Sequence, residues 1–382
     1  MDSQDIRTAQ SCAMDARLAV RELHAGIAQP DAELVLFFCS SEYDKSALAD
    51  EMNKLFAGVQ VVGCTTAGEI GPAGYLSHSL CGASFRRGEI SAVSGLLDGL
   101  RDFGSLKAHE FAQALLQRLE RKAPHADAGN SFAILLIDGM SIREEPVTHA
   151  LQASLGAIPV LGGSAGDDGR FEQTWVFHEG RFHADSAVSI LISTALPFTL
   201  FMNQHFAFTE ERLVVTEADT ASRTVRELNG LPAAQEYARL LGVPVEGLDA
   251  AGFASSPLLV VIDGVGYVRS IQKANPDGSM KFFCAIEEGV VLRLGHGQAL
   301  LEKLEEALDQ NIREIGQPQV VIGFDCILRK QEIAQRDLKG RVFDLLRGSN
   351  TVGFNSYGEQ FHGIHVNQTF TGIAIGKKTD RQ

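Results

Sequence analysis

Gly63-Cys-Thr-Thr-Ala-Gly-Glu69 returns without a gap as Gly353-Phe-Asn-Ser-Tyr-Gly-Glu359 near the other end of the chain. Gly162-Gly-Ser-Ala-Gly-Asp-Asp168 is a third version, one residue shorter. Each opens where an apolar strand stops, so each first glycine marks a tight turn or a close backbone approach. The text upstream repeats too. Val35-Leu-Phe-Phe-Cys39, Phe132-Ala-Ile-Leu-Leu-Ile137 and Val320-Val-Ile-Gly-Phe324 are short runs of strand formers. Helical stretches follow at Lys45 to Phe56, Glu144 to Leu155 and Glu332 to Leu346. Strand text enters each glycine loop and resumes after it. The copies are few and unevenly spaced, which excludes a solenoid. The expectation is an α/β protein of layered mixed β-sheets with helices, built from repeated strand–helix–strand–strand units.

Between the second and third copies the composition changes. Phe198 to Thr216 alternates apolar and polar residues, Ala233 to Leu241 is an amphipathic helix, and Asn275-Pro-Asp-Gly278 is a turn between strands. His296 opens a polar turn before a helix over Ala299 to Glu314. The domain boundary is expected between Leu228 and Tyr237. Ala187 to Met202 is the most apolar stretch, too short to span a bilayer, and reads as two buried strands around a turn.

The 382 residues suit about two domains. Lys plus Arg is 34 against Asp plus Glu at 48, a net charge of -14. That balance argues against binding a nucleic-acid backbone or docking on anionic lipid by charge. The six cysteines are scattered, with no CxxC or CxxCH. They suggest a reduced cytosol, and the acidic N-terminus gives no sign of a signal peptide, so a cytoplasmic location is expected.

Several constellations could carry chemistry. Gly162-Gly-Ser-Ala-Gly166 fits the Gly-x-Ser-x-Gly elbow of serine hydrolases, but no helix follows Ser164. A pocket-lining glycine turn is the plainer reading. Asp167, Asp168, Glu69 and Glu359 would form an acidic cluster if the loops meet; capping of neighbouring turns is favoured. Cys64 has no base nearby and reads as a buried thiol. His362 and His365 would point to opposite faces of extended chain. His178 and His183 look surface-facing. His205 is flanked by Phe201, Met202, Phe206 and Phe208, a setting that suits either a haem ligand or an ordinary core histidine.

Val62-Gly-Cys-Thr-Thr-Ala-Gly-Glu-Ile70 resembles the FIST family. So do Gly162 to Asp168 with Thr174-Trp-Val-Phe177, Phe324-Asp-Cys-Ile-Leu-Arg329, and Val352 to Gln360 with Asn367-Gln-Thr-Phe370. The resemblance implies a FIST N-terminal domain over 30–230 and a FIST C-terminal domain over 231–377. It implies an intracellular sensory protein rather than an enzyme. It is closest in form to stand-alone family members that bind haem b non-covalently, sense nitric oxide and regulate a partner histidine kinase in trans. Such signalling bears on cyclic-di-GMP and biofilm formation, and a cyclic-dinucleotide enzyme is an alternative partner. On that reading His205 is the axial iron ligand, with Phe201, Met202 and Phe206 around the haem. The rival is a haem-free sensor of an amino acid or similar metabolite, using the glycine-loop amides with Gly163, Ser164, Asp167 and Asn355. A hydrolase at Ser164 is the third reading. Whether the chain forms a homo-oligomer stays open.

Overall fold

Strands made of unbroken apolar runs need cover on both faces, and the described residues, 5–378 of the computed structural model, give it to them. Three repeats share one order of elements. The first is β1 (Ile6–Ser11), α1 (Ala16–Ile27), β2 (Ala32–Ser40), α2 (Lys45–Leu55), β3 (Gln60–Thr66), the hairpin β4 (Glu69–Gly71) and β5 (Gly74–Leu76), then β6 (Leu80–Arg86). The second is β7 (Ile90–Asp98), α3 (Ser105–Lys122), β8 (Ser131–Ile137), α4 (Glu144–Leu155), β9 (Val160–Ser164), β10 (Val176–His178), β11 (Arg181–His183) and β12 (Ser186–Thr194). The third opens with β13 (Phe198–Asn203) and is then interrupted.

The interruption is a sheet of its own. It holds β14 (Phe206–Phe208), β15 (Leu213–Asp219), β16 (Thr224–Leu228), β17 (Leu231–Pro232), α5 (Ala233–Leu241), α6 (Ala250–Ser255), β18 (Leu258–Ile262), β19 (Val265–Arg269), β20 (Ile271–Ala274), β21 (Met280–Phe282) and β22 (Val291–Gly297). Tyr237 and Phe253 from its helices pack with Met280, Phe282 and Leu292 of its strands. The third repeat resumes with α7 (Leu300–Ile315), β23 (Val320–Cys326), α8 (Ile327–Gln335), α9 (Lys339–Gly348), β24 (Thr351–Ser356), β25 (Glu359–Phe361), β26 (Ile364–Val366) and β27 (Phe370–Ile375).

Each repeat thus carries a leading strand and helix beyond the expected unit. The helix expected over Glu332 to Leu346 is two helices, divided where Asp337 takes a positive φ of 53°. His296 lies at the end of β22, not in a turn that opens the next helix. By compactness the chain also forms two units. Residues up to Met202, with Glu305–His365 and those from Phe370 on, form one unit; Asn203–Leu304 with Val366–Thr369 form the other. No run of Pro, Gly or Ser marks any of the four crossings.

In the larger unit the repeats exchange hairpins in a cycle. The sheets run β1-β6-β2-β3-β10-β11, β7-β12-β8-β9-β25-β26 and β13-β27-β23-β24-β4-β5. The hairpin after the first glycine loop joins the third sheet, that of the third joins the second, and that of the second joins the first. Within each sheet one central pair is parallel and its outer neighbour antiparallel. The inner faces share one core, where Phe38 meets Phe354 at 4.8 Å and Phe324 meets Phe354 at 5.6 Å between ring centroids. Outer faces are covered by α1 and α2 on the first sheet and by α3 and α4 on the second.

The first glycine of each loop now has a cause. Gly63, Gly162 and Gly353 sit opposite Phe37, Leu135 and Gly323 in the parallel pairs. A Cβ at any of them would run into the carbonyl oxygen of that partner.

Candidate functional site

The three glycine loops meet, and they spend their backbone groups on one another. Ala67 N–H donates to Asn355 O at 2.9 Å, and Asn355 N–H to Gly68 O at 2.7 Å. Tyr357 N–H donates to Ser164 O at 3.1 Å, and Ser164 N–H to Gly358 O at 2.8 Å. Gly166 N–H donates to Thr65 O at 2.9 Å, closing the ring. These amides are therefore committed to the fold, against the expectation that they would receive a ligand.

The acidic residues of the loops behave as caps. Glu69 is fully buried; it accepts from the Thr66 hydroxyl and from Ser79 N–H and Oγ–H at 3.0 and 2.8 Å. Burial pushes its carboxyl up to about 8, with the Asp168 charge adding to the rise and the hydroxyl donors opposing it. Glu359 accepts from the Ser356 hydroxyl. Asp167 accepts the N–H groups of Phe171, Glu172 and Gln173 at 2.8, 2.7 and 2.9 Å, and the hydroxyl of Tyr357. Among the described residues no three His, Cys, Asp or Glu side chains gather as a metal site.

Ser164 is buried, and its hydroxyl accepts from Gln360 Nε2 at 2.9 Å. The chain after it runs into the Asp167 loop rather than a helix, so the arrangement is not a nucleophile elbow. Cys64 is buried, and burial holds its thiol well above the ordinary range. Gly163 packs its α-carbon on Phe324 and Phe354. Asn355 donates to the Tyr75 hydroxyl at 2.5 Å, while its Oδ1 has no hydrogen-bond partner among the described residues. Tyr75 in turn donates to Asp325, which pairs with Arg329 at 2.8 Å; both members of that ion pair are at most 3% exposed. Lys330 Nζ donates to Ala67 O at 2.7 Å.

His205 is 1% exposed and lies between β13 and β14. Its ring packs on Phe206 at 4.3 Å and against Gly297, and its carbonyl accepts from Gln298 N–H at 2.6 Å. Phe201 packs on Phe370 at 5.3 Å, and Met202 is half-buried. Haem is a large planar group that needs an open face at its axial ligand. The imidazole is closed in on Phe206 and Gly297, and almost none of the residue's surface is accessible. The residues around His205 do not fit a haem in this conformation. His178, expected at the surface, is only 6% exposed.

Open space lies instead at the carboxyl ends of β2 and β3, where parallel strands present ligand sites. A cleft of about 560 Å³ there is lined by Ser41, Tyr43, Lys45, Asp167, Arg170 and Trp175, among others. Lys45 Nζ stands 4.0 Å from the centre of the Trp175 ring. Asp168 Oδ2 gathers Ser40 Oγ–H, Ser41 N–H and Ser41 Oγ–H at 3.0, 3.0 and 2.7 Å. Arg170 donates to Ser41 Oγ and to Asp167 O. Glu42, Asp44 and Glu172 stand exposed on the rim. Of the residues expected to bind a metabolite, the cleft contains Asp167 alone. Lys45 and Arg170 were missed; the signal available was the lone tryptophan two strand residues before the buried Phe177.

The fold and cleft together define a triplicated α/β protein with a pocket at the loop ends of its first sheet. The chain belongs to the FIST family: residues 33–231 match the FIST N domain and residues 233–362 the FIST C domain. FIST domains are associated with sensing small ligands in signalling. An uncharacterized protein of Methanocaldococcus jannaschii is 26% identical over 214 residues, which is 55% of this chain and 41% of that protein, so the chain spans about two fifths of this relative's length. Two cyanuric acid hydrolase structures are similar over nearly the whole of both chains. The one from A. caulinodans has 8% identity and a TM-score of 0.37, with 98% and 99% of the two chains covered. The other, described as an evolutionary innovation by structural concatenation, has 11% identity and a TM-score of 0.38, with 97% and 99% covered. Neither likeness bears on the chemistry of this chain. Among the described residues no helix is long and apolar enough to cross a membrane.

Proposed function

We propose that this chain is a non-catalytic sensor that binds a free amino acid or similar small zwitterion in the Trp175 cleft and signals to a partner in trans. The observation that carries the proposal is the cleft itself. It sets Lys45 and Arg170 beside Trp175, with Glu42, Asp44 and Glu172 at the rim. A carboxylate suits the two cations, an ammonium suits the rim acids, and Trp175 supplies the apolar face. One wall is the Asp167 loop, which is bonded to the third glycine loop through Tyr357. A ligand that favours one arrangement of this wall shifts the population of the ring by its differential affinity. With a net charge of -14, the partner's docking surface should be basic, and a histidine kinase or cyclic-dinucleotide enzyme is the class of partner we propose.

A thermal-shift series with the proteinogenic L-amino acids tests the proposal. A saturable rise in Tm with at least one of them, weakened in Lys45→Met, is expected; no rise with any of them rejects the amino-acid form. The haem and nitric-oxide form rests on His205 and its aromatic neighbour Phe206. Haem reconstitution followed by visible spectroscopy separates the two: a Soret band lost in His205→Ala would favour haem, and colourless protein would remove it. Absence of ester hydrolysis is expected, given the buried Ser164.

A further inference from the structure

A second cavity, of about 430 Å³, opens at the amino-terminal end of β3, the end away from the glycine loops. Phe56, Val59 and Val61 give it an apolar wall; Gln60, Arg118 and His178 give it a polar one, with the carboxylate of Glu179 exposed at its edge. Ser94 organises the polar side. Its N–H and its hydroxyl both donate to Gln60 Oε1, at 3.1 and 3.0 Å. A backbone N–H needs an acceptor, so the amide orientation of Gln60 is fixed. The Gln60 amino group is left buried, with no hydrogen-bond partner among the described residues. Because the Ser94 proton goes to Gln60, His178 Nε2 carries the proton in its 3.0 Å bond to Ser94 Oγ. Arg118 Nη1 donates to Ser94 O at 2.8 Å, which anchors the guanidinium on the same residue. Burial, with the charges of His183 and Arg118, holds His178 below its ordinary range and neutral, against the opposing pull of Glu179. In an acidic protein, one cavity therefore joins a guanidinium to a buried donor that lacks an acceptor.

We propose that this cavity binds a small organic acid, with its carboxylate on Arg118 and the Gln60 amino group and its aliphatic tail along Phe56, Val59 and Val61. A carboxylate supplies the acceptor that Gln60 lacks and an ion partner for Arg118. The apolar wall selects a tail over a bare inorganic anion. The site lies apart from the Trp175 cleft and stands whether or not that cleft binds an amino acid.

Calorimetry on the full chain at constant ionic strength tests the site, with hexanoate as probe and hexylammonium and inorganic phosphate as controls. Saturable binding of hexanoate is expected, with neither control bound. Arg118→Met, a surface change, and Gln60→Glu, which matches the shape but repels an anion, should each weaken hexanoate by about tenfold or more. Absence of hexanoate binding, phosphate bound as tightly as hexanoate, or full affinity in both variants would overturn the proposal.

Discussion

Tyr357, in the third glycine loop, donates its hydroxyl proton to Asp167, in the second, and accepts the N–H of Gly169 at 2.9 Å. One phenol thus ties the wall of the Trp175 cleft to the loop ring. Its ring also stacks on Phe171, at 4.3 Å and 17°. Tyr357→Phe keeps the stack and removes the hydroxyl, leaving buried groups unpaired. A loss of about 1–3 kcal/mol in urea unfolding is expected, with weaker ligand binding at the cleft.

Glu69 predicts a pH dependence of stability. Its folded-state pKa stands at about 8, above the ordinary 4.5. A raised carboxyl favours the fold in its protonated form, so its contribution is complete below pH 4.5 and is lost as pH rises toward about 8. Urea midpoints measured across that window should fall in the wild type. In Glu69→Gln, which stays neutral, they should fall less steeply.

The buried pair Asp325–Arg329 is expected to be costly to halve and cheap to remove. Arg329→Met leaves a buried carboxylate whose burial already pushes its pKa up. That single change should cost about 3–5 kcal/mol. Adding Asp325→Asn to it should restore part of the loss, since Asn still accepts from Tyr75. Chemical denaturation of the single and double variants measures the difference.

Much of the larger unit was legible because its central strands are buried on both faces and so read as unbroken apolar runs. The glycine loops were legible because a Cβ at Gly63, Gly162 or Gly353 has no room. β1 was not: Ile6-Arg-Thr-Ala-Gln-Ser11 is an edge strand with four half-buried residues, and its text is mostly polar. The hairpin exchange was hidden because pairing partners such as Glu359 and Gly163 lie far apart in sequence. Burial of Arg329 could not be read from its charge, since it depends on Asp325 one turn earlier. The cleft was half visible: Trp175 stood out as the lone tryptophan, but nothing in sequence linked it to Lys45.

That same tryptophan makes the most direct measurement available. The chain holds one Trp, and it lies in the proposed cleft, so intrinsic Trp emission reports from Trp175 alone. Titration with the L-amino acid that raises Tm should change this emission saturably, with a Kd matching calorimetry, and Lys45→Met should raise that Kd. Binding that stabilises the protein yet leaves Trp175 emission unchanged, with Kd unaltered in Lys45→Met, would place the ligand elsewhere and contradict the account.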